Sequence, residues 1–76
     1  MAYSTLDTVV LARDLPEHGL CRGDLGAVVE VYDGGLEVEF VTASGRTTAV
    51  VTLTPDDVRP IADTDLVAVR PLDRSA

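Results

Sequence analysis

The chain has 76 residues, room for one domain and no second. Size scaling gives such a domain roughly 4,500 Å² of folded surface against about 11,600 Å² unfolded, so its core is small. Thirteen acidic residues against six basic ones leave a net charge of −7, which argues against direct binding to DNA, RNA or an anionic membrane, because those surfaces require clustered positive charge.

Hydrophobic residues make up 46% of the chain, too many for a disordered one. Every base is Arg, and Lys, Asn and Gln are absent. The single cysteine, Cys21, excludes an internal disulfide and with it a stapled secreted mini-domain. Residues 1–8 show neither the basic nor the apolar region of a signal peptide, and no apolar run approaches a membrane span. A cytoplasmic protein without cofactor or metal is the expectation.

Twelve Val, eight Thr and one Ile bias the chain towards strand, and Gly and Pro cut it into short pieces. Residues 8–13 read as a first strand. A long turn-rich loop follows over 14–26, with Pro16, Gly19, Gly23 and Gly26. Strands over 27–32 and 36–41 flank Asp33-Gly34-Gly35, the clearest hairpin signal in the chain. A turn at residues 42–45 leads into a strand over 46–53. Thr54-Pro55-Asp56-Asp57 has the form of a helix start, with Thr as N-cap and Pro first, but Pro60 leaves space for only one 3₁₀ turn. Residues 58–61 make a last short strand, confined by Pro60 to an edge or an end.

The domain therefore spans residues 1–62, and residues 63–76 are a C-terminal extension. Leu66, Val67 and Val69 in it form either an extra edge strand or an exposed apolar arm that docks on another chain, and residues 71–76 should fray. Five short antiparallel strands, a long loop after the first and a 3₁₀ turn before the last are the element order of an all-β, five-stranded SH3-like (KOW-like) barrel.

Two-residue loops at residues 33–35 place Val29 and Val31 on one face with Leu36, Val38 and Phe40, and Glu30 and Tyr32 on the other with Glu37 and Glu39. A three-residue loop would set Glu30 opposite Val38 and mix the classes, so the two-residue register is expected. The next strand is ambiguous: either Ala49, Val51 and Leu53 face inward, or Val50 does.

Gly23 and Gly26 fit positions where positive φ or close backbone approach admits only glycine. They do not fit a phosphate cradle, because no Gly-Lys-Ser/Thr and no helix follow. His18 and Cys21, with Glu17 nearby, fall short of the three or four ligands of a metal site, and a Cys–His nucleophile lacks its base and oxyanion donors. Cys21 reads as a small hydrophobe. Glu30, Glu37 and Glu39 crowd like charges on one strand face at a cost of up to roughly 1 kcal/mol. Beside them, Tyr32 is of the type that anchors interfaces. This is either a solvated face that discourages edge association or an acidic docking surface for a basic partner, with Glu17 and Asp24 extending it into the long loop. Three aromatic residues, Tyr3, Tyr32 and Phe40, cannot line a proline-peptide groove.

The run Asp14-Leu15-Pro16-Glu17-His18-Gly19-Leu20-Cys21-Arg22-Gly23-Asp24-Leu25-Gly26-Ala27-Val28-Val29-Glu30-Val31 resembles the signature of a family of short bacterial proteins with a domain-of-unknown-function label. Glu37-Val38-Glu39-Phe40 and the run from Leu53 to Pro60 resemble its closing half, so the likeness covers residues 6–61. Gly23 to Val28 is also similar, over a shorter stretch, to the KOW motif and to the SH3-like barrel of nitrile hydratase β subunits. The resemblance implies an SH3-like fold and a non-enzymatic, protein-binding role, with an antitoxin or immunity function beside a toxin-like or effector gene. It carries no established site residues. The alternative is a structural accessory subunit or KOW-like translation-associated module. An enzyme using His18 and Cys21 is the third reading, and a homodimer stays open.

Overall fold

The computed structural model describes residues 3–72. Alternating Val and Leu drive the chain into five strands: β1 (Thr8–Leu11), β2 (Leu25–Tyr32), β3 (Gly35–Val41), β4 (Thr47–Leu53) and β5 (Val58–Pro60). Two 3₁₀ turns, Pro16–His18 and Pro55–Asp57, interrupt them. All pairings are antiparallel and the sheet order is β4-β3-β2-β1-β5. The sheet is not closed: β4 and β5 are its two edges.

The core gathers around the inward row of β3. Leu36, Val38 and Phe40 are buried together with Val9, Leu11, Val28, Leu53 and Val58, and Ala49, Val51 and Tyr3 pack against them. Val50 is exposed, so β4 turns Ala49, Val51 and Leu53 inward, the first of the two alternatives. Leu15 and Leu20 complete the core from the long loop, where they exchange two backbone hydrogen bonds of 2.9 and 3.1 Å. That bridge makes the loop a packed unit rather than a loose excursion.

The central hairpin closes on Asp33-Gly34, with Tyr32 opposite Gly35 and Gly34 at φ +78°. The two-residue register holds as far as Glu30↔Glu37. Deeper in, it slips by one residue, and Val28 pairs with Val38. The extra residue, Val29, forms a β-bulge. The inward position expected for Val29 is therefore filled by Val28, which is completely buried, while Val29 is half-buried. Val31 faces Leu36 but lies near the hairpin tip and stays 42% exposed, so it is not a core residue either.

Gly26 explains why the slip is tolerated and useful. A Cβ there would come within 2.6 Å of Val38 Cγ1 and 2.8 Å of Phe40 Cε2, so only glycine lets β2 cross directly over the β3 row. Gly23, at φ +97°, serves the other expected purpose by reversing the chain before β2.

The second 3₁₀ turn starts as anticipated, with Thr54 at the N-cap and Pro55 first. Asp57 fixes it by accepting from the Thr54 N–H at 2.9 Å and from Arg13 Nε at 2.7 Å. The last strand stops at Pro60, and Ile61 is exposed. Residues 66–70 form no strand, contrary to the extra edge strand considered above. They run as an irregular arm tethered by side chains. Of the tail expected to fray, residues 73–76 lie outside the described residues.

Gly26→Ala should destabilise the chain by about 1–3 kcal/mol through overpacking against Val38 and Phe40. Gly35→Ala, whose Cβ would meet nothing closer than the Leu53 carbonyl at 3.6 Å, should be neutral or stabilising by up to about 1 kcal/mol. Urea denaturation of the two variants checks the contrast; equal effects would contradict the close approach at Gly26.

Candidate functional site

Because the inward row of β3 is apolar, the residues between turn outward. Glu37 and Glu39 share that outer face, with Glu30 opposite Glu37 and Ala27 opposite Glu39. On the other side Thr52 pairs with Glu37 and Val50 with Glu39. Thr52 Oγ1 donates to Glu37 Oε1, and Thr47 Oγ1 donates to Glu39 Oε2 at 2.5 Å. These hydroxyls orient two of the carboxylates without neutralising them. Tyr32, 51% exposed, and the exposed Val41 and Val50 lie around them. The result is an acidic centre with an apolar rim on a sheet surface.

Among the described residues, the ion pairs are Arg13–Asp57, Arg59–Asp65 and Arg70–Asp24. None reaches Glu30, Glu37 or Glu39, so among the described residues their charge has no paired cation. Glu17 is exposed on the first 3₁₀ turn, in the long loop rather than on this sheet face. Asp24 is engaged internally: Arg70 Nε donates to it at 2.9 Å and the Cys21 N–H at 2.8 Å. Of the six residues singled out from the sequence, four share one face and two do not.

Asp24 and Arg70 belong to a second feature. The arm after β5 is pinned at two points. Arg59 grips Asp65 through two bonds of 2.9 Å, and Arg70 grips Asp24 while donating to the Gly19 carbonyl at 3.1 Å. Between these points the arm arches over a cavity of about 780 Å³ lined by Val10, Leu20, Leu25, Phe40 and Thr48 and by the arm itself. Val10 is only 4% exposed yet lies outside the core cluster. It is the residue of β1 that faces this space. Arg59 and Asp65 meet locally across the turn at residues 63–64, whereas the fold alone brings Asp24 and Arg70 together.

The ion pairs leave their mark on acidity. Hydrogen bonds from Arg59, with help from the Ala62 N–H, hold the Asp65 carboxyl down to about 2. Burial pushes Asp24 up, but the Arg70 hydrogen bond, the Cys21 N–H and the Arg70 charge together bring it below the ordinary carboxylate range. Asp57 is lowered by the Arg13 hydrogen bond and the Thr54 N–H.

His18 and Cys21 are both exposed, so Cys21 does not pack as the small hydrophobe expected of it. No group of three or more His, Cys, Asp or Glu that could hold a metal is found among the described residues. No helix among them is long and apolar enough to cross a membrane.

A family model described as a domain of unknown function, DUF4926, matches residues 5–60. The chain belongs to that family. The matched region ends where β5 ends, and the pinned arm lies beyond it. No curated protein and no solved structure matches the chain.

The Asp65 carboxyl should titrate at about 2, against about 3.9 for a free aspartate. With the folded value depressed, the stabilisation of the arm by Arg59–Asp65 is fully present above about pH 4 and is lost as pH falls through the folded value. A carboxyl-detected NMR titration checks this, and Arg59→Gln should return Asp65 towards the ordinary range. An unshifted Asp65 in the native chain would mean that the arm is not pinned at this point.

Proposed function

We propose that this member of the family is a non-enzymatic, protein-binding SH3-like barrel whose outer sheet face docks a basic surface on another protein. The strand order, the packed loop after β1 and the 3₁₀ turn before β5 support the barrel reading. One observation carries the functional one: Glu30, Glu37 and Glu39 sit together on a strand face with no ion pair among the described residues. Opposed like charges cost up to roughly 1 kcal/mol in the free chain, and a protein of this size has only about 4–11 kcal/mol of stability in total. A cationic partner would relieve that repulsion on binding. Tyr32, Val41 and Val50 would supply the apolar contact that charge alone does not.

With the resemblance noted in the sequence, the partner we favour is a toxin-like or effector protein encoded beside this one, for which the chain acts as antitoxin or immunity protein in the cytoplasm. Electrostatic steering suits that task, since a neutraliser must capture its target quickly.

Glu30→Gln should raise the stability of the free chain by a few tenths to about 1 kcal/mol and weaken binding to the purified neighbouring gene product. The triple variant Glu30→Gln, Glu37→Gln, Glu39→Gln should weaken it at least tenfold, about 1.4 kcal/mol, and flatten its salt dependence. Calorimetry at low and high salt reads both effects. Tight binding that ignores these substitutions would remove the acidic face from the proposal.

A further inference from the structure

Two segments of this chain have strand chemistry but lack a strand partner. The first is the outer edge of β4. It is seven residues long and carries no charge and no proline. Among the described residues, its backbone makes no hydrogen bond other than its ladder with β3. Every second residue of such an edge turns its N–H and C=O to the open side. Charged side chains or proline usually protect edges like this one.

The second segment is Leu66-Val67-Ala68-Val69 in the pinned arm. Leu66 is 95% and Val69 94% exposed. No backbone hydrogen bond involves these four residues among those described. The Arg59–Asp65 and Arg70–Asp24 pairs flank them directly on either side and tether both ends of the stretch. Exposed apolar side chains and unpaired backbone are separate costs, and pairing with a strand edge removes both.

We infer that residues 66–69 of one copy add as a strand to the β4 edge of a second copy, and that the exchange is reciprocal in a two-fold dimer. Charge permits this occupant, and the presence of donor and acceptor on one chain selects it. Two chains of net charge −7 repel wherever acidic surfaces meet, but Thr47–Leu53 and residues 66–69 are both uncharged, so this seam opposes no like charges. Donor and acceptor lie on the same chain, so a second copy brings both halves of the match. Two-fold symmetry makes the seam twice, which a four-residue strand needs to reach useful area. The inference goes beyond the acidic docking face and stands or falls without it.

Two variants separate donor from acceptor. Val67→Pro removes a backbone donor from the arm, where it has no partner to lose. Val50→Asp places a charge on the exposed side of β4. Sedimentation equilibrium of the full chain from about 1 µM to about 1 mM should show a dimer that grows with concentration, and each variant alone should weaken it at least tenfold. Mixing the two variants should give association tighter than either variant alone and weaker than the native chain, because one of the two seams, the intact arm of one on the intact edge of the other, re-forms. Amide exchange should show protection of residues 47–53 and 66–69 rising together with concentration. A native chain that stays monomeric throughout, a Val67→Pro dimer as tight as the native one, or a mixture no better than either variant would each overturn the inference. Protection independent of concentration would overturn it too, since that would mean the arm closes on its own β4.

Discussion

The close crossing of β2 over the inward row of β3 is the constraint on which the rest depends. Gly26 admits Val38 and Phe40 to a distance that no side chain would allow, and Val28 completes the contact from the next inward position of β2. Once Leu36, Val38 and Phe40 are committed to the core, the pleat sends Glu37 and Glu39 to the opposite surface. The acidic face is thus a direct consequence of core packing rather than a separate design. Its charges cannot be moved inward without dismantling the small core beneath.

Alternation near the turn made much of this legible beforehand. Asp33-Gly34-Gly35 marked the hairpin tip and placed Glu30 opposite either Glu37 or Glu39; the structure closes the turn on Asp33-Gly34 and sets Glu30 opposite Glu37. The bulge at Val29 was not legible, because Val28, Val29 and Val31 are chemically alike and any of them can serve as a core residue. Gly26 held the missing clue: a glycine two residues before Val28 leaves room for the β3 side chains and favours the slipped register. The loop leucines were missed for a similar reason. Leu15 and Leu20 sit among turn-forming residues, and only their mutual bridge reveals them as core.

The arm shows a different limit. Its apolar run reads as an edge strand or as an exposed arm, and its placement involves one ion pair close in sequence, Arg59–Asp65, and one that is not. Arg70 and Asp24 meet across 46 residues. Such pairs are exposed and individually weak, yet the two of them tether one short segment at both ends beside the cavity. The chain therefore uses half of its arginines to hold turns and the arm, and among the described residues its sheet carboxylates form no ion pair. That distribution, more than the net charge itself, gives the molecule an asymmetric surface: compensated around the loop and arm, acidic on the sheet.

Cross-strand NOEs measured along the β2–β3 hairpin test the central claim most directly. The packing described here predicts contacts from the Gly26 α-protons to the Phe40 ring, a Val28–Val38 pair, and Glu30 beside Glu37 on the solvent side. A regular ladder without the bulge, in which Val29 meets the Phe40 ring and Gly26 stands clear of it, would contradict the packing and the face built upon it.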